Sequence, residues 1–132
     1  MRLIRKARAV GLLYTGPTLP STASFLDELA LLAREAVDRS QRKARQALPF
    51  CAFNGGRDVF VDVGTKAFGI DILRGLTGAG RRQTLHVGDQ FTRTGNDLPA
   101  QRACGTVCVG NPRETTTMLR ELLQAMNMTK VQ

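Results

Sequence analysis

The chain has 132 residues, 42% of them hydrophobic and 23% charged, which suits one soluble domain with its own core and excludes wholesale disorder. Nineteen lysines and arginines against eleven acids give a net charge of +8, which admits nucleic acid, anionic lipid or a phosphorylated small molecule as partner without choosing among them. No apolar run approaches the roughly 20 residues of a membrane span, and the opening "MRLIRKARAVGLLY" is too short in apolar residues for a secretory signal. The expectation is a soluble cytoplasmic chain with no membrane partner.

In chain order, "AVGLLY" (9–14) reads as a short apolar strand, closed by "TGPTLP", whose glycine and prolines punctuate a loop. Ser21 to Ser24 offer N-caps for a helix over "FLDELALLAREAVDRSQRKARQAL" (25–48), with Phe25, Leu29, Leu32, Ala36 and Val37 on one stripe. Asp27 and Glu28 sit early in that helix, where its dipole favours acids, and "RSQRKARQ" is a solvated basic face near its end. "FNGGRD" (53–58) resembles a tight Asn-Gly hairpin turn. "RDVFVDVG" (57–64) alternates as a strand, with Val59, Val61 and Val63 on one face.

A helical stripe of Phe68, Ile72 and Leu76 follows and ends at Gly78 and Gly80. "TLHVG" (84–88) is a buried strand, "NDLPAQRACG" a short helix, "TVCVG" (106–110) another strand, and "PRETTTMLRELLQAM" (112–126) a closing helix with proline at its start. Alternation of strand and helix predicts an α/β sheet, at least partly parallel, shared by all four strands. The strands at 10–13 and 85–88 are expected to be buried on both faces and to offer open edges for self-association.

Cys51, Cys104 and Cys108 contain no CxxC pair and are read as buried, reduced thiols rather than a zinc site. The chemistry gathers in "LHVGDQFTRTGND" (85–97), where a strand ends in Gly-Asp and a polar loop returns to a second aspartate. Ligands of open α/β sheets bind beyond the carboxyl ends of strands. Asp89 with Asp97 suits a hard cation that takes one or two carboxylates plus phosphate and water. The alternative is that Asp89 caps a turn and Asp97 caps the helix at Leu98. Lys66, at a helix start already positive from the helix dipole, is either a phosphate clamp or an exposed lysine. His86, inside a strand, is read as a packed histidine.

Together, "GTKAFGIDIL", "TLHVGDQFTRTGND" and "GTVCVGNP" resemble the C-terminal half of a haloacid-dehalogenase-like (HAD) phosphohydrolase. The longer "LPFCAFNGGRDVFVDVGTKAFGI" resembles the IMP-specific 5'-nucleotidase family of fungi and protists, a likeness running from Leu48 to Leu123. The resemblance implies an α/β fold with a HAD-like, Rossmann-like three-layer α/β/α core, incomplete in residues 1–132, where the nucleophile motif and most of the cap are absent. It also implies Mg²⁺-dependent hydrolysis of IMP, or another nucleoside monophosphate, to nucleoside and phosphate. Lys66 and Asp97 then take catalytic roles, Asn54, Asp58, Lys66 and Asn96 contact substrate, and Asp89 holds the metal.

No DxD nucleophile motif occurs in the sequence, so the expectation is an incomplete, poorly active portion of such an enzyme. The alternative is a non-catalytic HAD-derived binding or assembly module, and a homo-oligomer is expected in either case. Nucleic acid is disfavoured by the scarcity of aromatic residues for stacking.

Overall fold

The computed structural model describes residues 1–128. Six strands and three helices make a mixed α/β fold in two sheets: β1 (Arg2–Arg5), β2 (Ala9–Leu13), α1 (Thr22–Ala44), β3 (Phe50–Asn54), β4 (Asp58–Val63), α2 (Lys66–Thr77), β5 (Leu85–Gly88), β6 (Gly105–Cys108) and α3 (Pro112–Met128). β1 to β4 form an antiparallel sheet in the order β1-β2-β4-β3, whereas β5 and β6 form a separate parallel pair.

The expected single sheet is therefore corrected. Alternation in sequence predicted one sheet, at least partly parallel, but parallel pairing is confined to β5 and β6: α1 leads from β2 to an edge strand that pairs antiparallel with β4, and α2 leads out of that sheet to β5. β3 and β4 are joined by the predicted tight turn, in which the Gly55 amide donates to the Asp58 carbonyl at 2.8 Å and Gly56 lies at φ 94°. A hairpin of that kind dictates antiparallel neighbours. β1 and β3, which apolar patterning did not single out, form the two edges of this sheet. β2 is paired on both sides and so offers no open edge, while β5 has β6 as its one partner among the described strands. Nor are β2 and β5 buried on both faces, since Val10 is 49% and Leu85 43% exposed.

The core joins α1 to the antiparallel sheet: Leu26 and Ala30 pack on Val59, with Tyr14 and Leu29 at the margin. The buried residues of α1 are thus Thr22, Leu26 and Ala30; of the expected stripe Leu29 packs against them, whereas Phe25 and Leu32 are exposed. The helix ends at Ala44, four residues before the expected limit, because Arg45 adopts a left-handed conformation and returns its amide to the Arg42 carbonyl. Val59 and Phe60 are both buried, so the two faces of β4 are covered near the turn, whereas Val63 at its far end is exposed.

α2 starts where the sequence indicated, with the Thr65 hydroxyl accepting the Phe68 amide and Gly78 closing it. Its stripe of Phe68, Ile72 and Leu76 is exposed rather than buried. Of the thiols only Cys104 is buried; Cys51 is half-buried and Cys108 exposed. No described helix is long and apolar enough to cross a membrane.

Candidate active site

The parallel strand β5 ends at Gly88 and hands the chain to the loop 89–97, which folds back under the strand end. Asp97, at the close of that loop, is completely buried. Its Oδ1 is paired with the Lys66 ammonium and lies 2.7 Å from Nε2 of His86. Its Oδ2 accepts the backbone amides of Asp89 at 3.2 Å and Gln90 at 2.9 Å. Four N–H groups from three segments therefore converge on one carboxylate, the pattern that makes a buried charge tolerable.

Burial alone raises the pKa of Asp97, but hydrogen bonds from Lys66, the Gln90 amide and His86, with the lysine charge, outweigh it and hold the pKa at about 2. Asp97 is ionised at neutral pH, and Lys66 is its counter-ion. The geometry depends on a missing side chain, because a Cβ on Gly88 would overlap the Asp97 carboxylate.

The capping role weighed for Asp97 is not what the structure shows: no cap hydrogen bond runs from its side chain to the short 3₁₀ turn Leu98–Arg102. His86, read from sequence as a packed residue, is a partner of this carboxylate, 18% exposed, with its ring edge against Phe91. Sequence offered one signal for it, a polar ring two positions before the Gly-Asp of a strand end.

The predicted site residues divide. Lys66 and Asp97 are in contact, and Asp89 joins them through its backbone. Lys66 and Asn96 line one cavity of about 410 Å³, together with Arg8, Phe53 and Phe68. The exposed Asp89 lines a different cavity of about 420 Å³, where β5 and β6 end and α3 begins. Asn54 and Asp58 flank the hairpin turn, and the length of β4, about 17 Å at ~3.4 Å per residue, separates Asp58 from the end that leads into Lys66.

Asn54 is engaged inside the protein, its Oδ1 accepting the Gly56 amide at 2.8 Å and its Nδ2 donating to Asp27 at 3.0 Å. Asp27 also accepts the Thr94 hydroxyl, and the Asn54 amide donates to the Thr94 carbonyl at 2.9 Å. This triad, which sequence reading missed, ties the loop 89–97 to α1 and β3. Asp27 lies beyond the first turn of α1, and the hydrogen bonds it accepts from the Thr94 hydroxyl, first, and the Asn54 side chain lower its pKa.

For a divalent cation the donors are unequal. Both oxygens of Asp97 are spent on N–H donors, so it is not a ligand here. The Asp89 carboxylate makes no hydrogen bond or ion pair among the described residues, and one free carboxylate fits the sparse protein ligation that Mg²⁺ accepts. Among the described residues no three His, Cys, Asp or Glu side chains cluster into a ready-made cage.

The model of the family described as IMP-specific 5'-nucleotidase matches residues 1–119. IMP-specific 5'-nucleotidase 1 of Neurospora crassa is 39% identical over 94% of this chain and 31% of its own length. Its counterpart in Aspergillus fumigatus is 43% identical over 91% of this chain and 26% of its own. A solved structure of N-terminally truncated Plasmodium falciparum IMP-nucleotidase superposes with a TM-score of 0.77 at 34% identity, covering 90% of this chain and 32% of that one. The IMP-bound form of that truncated protein also gives 0.77. The chain spans about a third of the length of the relatives it matches.

Proposed function

Since the chain belongs to the IMP-specific 5'-nucleotidase family, we propose that its site takes part in the Mg²⁺-dependent hydrolysis of IMP to inosine and phosphate, on a HAD-like fold. The observation that carries the reading is the convergence of Lys66, His86 and the loop after β5 on the buried carboxylate of Asp97. Phosphoryl transfer depends chiefly on positioning and on neutralising the charge of the transferred group. Lys66 supplies a cation at the head of α2, and Asp97 fixes where that cation sits. Asn96, in the same cavity as Lys66, presents an amide able to donate to a phosphate or ribose oxygen.

The exposed Asp89 is the residue to hold Mg²⁺, whose contribution when bound is to offset phosphate charge. Asp97 acts as a positioning residue, because neither of its oxygens is free to meet substrate. The turn residues Asn54 and Asp58 are left out of this reading: the first is committed to Asp27, and the second lies at the other end of β4 from Lys66. With no DxD carboxylate in residues 1–132 to attack phosphorus, the chain supplies the charge-neutralising half of the reaction and not its nucleophile.

Titration calorimetry of IMP into the chain with Mg²⁺ tests the reading. Saturable binding is expected, weakened about tenfold by Lys66→Met, the scale of one charge-assisted hydrogen bond. Phosphate release is expected to stay near the uncatalysed level. Binding indifferent to Lys66→Met would remove the lysine from the site, and turnover on the order of 1–10³ per second would show that the chain carries a nucleophile of its own.

A further inference from the structure

A further cavity, of about 270 Å³, lies where α1, α2 and the segment 93–102 meet; it shares Cys51 and Thr65 with the cavity that holds Lys66, but Lys66 itself does not line it. Three arginines line it: Arg34 from α1, Arg93 from the loop after β5, and Arg102 from the 3₁₀ turn, with Phe50, Leu98 and Pro99 as apolar wall. No carboxylate lines it. We propose that this cavity is a binding site for a small oxyanion of the phosphate class, adjoining the cavity that holds Lys66 but built on the three arginines.

The contrast with the Lys66 cavity carries the inference. The charge of Lys66 is already matched by Asp97. The arginine charges are not matched: Arg93 and Arg102 make no side-chain hydrogen bond or ion pair among the described residues, and Arg34 spends one donor on the Ala52 carbonyl at 3.1 Å. A guanidinium has five N–H donors, so most of the donor capacity of the three is unused.

Like charges gathered on one concavity repel, more so beside apolar walls that lower the local dielectric, and an anion placed among them removes that cost. The planar fork of arginine pairs two oxygens of a phosphate at once. Arg34 is half-buried and tethered to β3, which sets its guanidinium before any ligand arrives, while the exposed Arg93 and Arg102 can close on it. The volume is just below the roughly 300–1,000 Å³ of ordinary small-molecule pockets, so it suits an oxyanion group rather than a whole nucleotide. The inference does not depend on the nucleotidase reading.

Inorganic phosphate and, separately, IMP titrated into the chain without metal at low ionic strength test it. Wild type is compared with Arg93→Gln/Arg102→Gln and with Lys66→Met, and thermal melts verify that each variant is folded. Saturable phosphate binding is expected, weakened about tenfold or more by the double arginine change and less by Lys66→Met than by that double change. Arg93→Lys, which keeps the charge and loses the fork, should lie between wild type and the double variant.

Tighter binding of IMP than of phosphate, with the same loss in the arginine variant, would uphold the site and identify the anion as part of a nucleotide. Equal affinities would uphold it as a site for free phosphate. No saturable binding by the wild type overturns the proposal, as does loss in Lys66→Met with the arginine variant unchanged. That last result would leave the Lys66 reading standing.

Discussion

Lys66 and His86 meet on a single atom, Oδ1 of Asp97, although the lysine opens a helix and the histidine lies within a strand of the other sheet. Each therefore relieves the same buried charge, and removing either throws more of it onto the other. His86→Leu should lower unfolding stability by about 1–3 kcal/mol, the cost of taking one hydrogen-bond partner from a buried carboxylate. His86→Gln keeps a donor and should recover part of that loss. Urea denaturation at neutral pH measures both; equal midpoints for wild type and His86→Leu would mean that the histidine adds nothing to the carboxylate.

The acid limb of the stability curve reports the same group. The pKa of Asp97 falls from 3.8 to about 2 on folding. A depressed pKa means that the native state holds the ionised form better than the unfolded chain does. The resulting stability is complete above about pH 4 and disappears as pH falls from there toward 2. A shift of this size corresponds to roughly 2 kcal/mol. Denaturation midpoints followed from pH 5 to pH 2 should show that loss in wild type, and Asp97→Asn, already weaker at pH 5, should show a flatter decline. Parallel curves for the two proteins would assign the acid sensitivity to other groups.

Gly88 is held to glycine by contact with that carboxylate. Its missing Cβ would fall on Asp97, a neighbour fixed by four N–H groups and unable to yield freely. Gly88→Ala should cost about 1–3 kcal/mol, as overpacking of a close contact does. It should also displace the amides of Asp89 and Gln90 from Oδ2. Amide exchange at residues 89 and 90 is the readout, with faster exchange expected, and unchanged protection together with unchanged stability would contradict the packing described.

The periodic segments were legible in the sequence because their signal is local. Alternation marked β4, the apolar runs marked β2, β5 and β6, helical spacing with a glycine stop marked α2, and Pro112 marked the start of α3. Lys66 at a helix start and Asp89 at a strand end could be placed for the same reason, since each is positioned by the end of its own element. The edge strands β1 and β3 carry no comparable pattern: "RLIR" mixes arginines with apolar residues because its outer edge and much of its surface face water, and "FCAFN" is too short to tell strand from helix.

What tertiary structure alone decided is who meets whom. The turn after Asn54 joins β3 and β4 in antiparallel fashion and separates that sheet from β5 and β6. The meeting of Asp97 with Lys66 and His86 requires the loop 89–97 to fold beneath a strand end while Thr94 is latched to Asp27 on α1, contacts between residues 31, 11 and 67 positions apart. Charge and spacing along a chain record which groups are present. Desolvation and partner geometry, which fix the protonation of Asp97 and leave the arginines of the cavity between α1 and α2 unmatched, exist only once distant segments have been packed together.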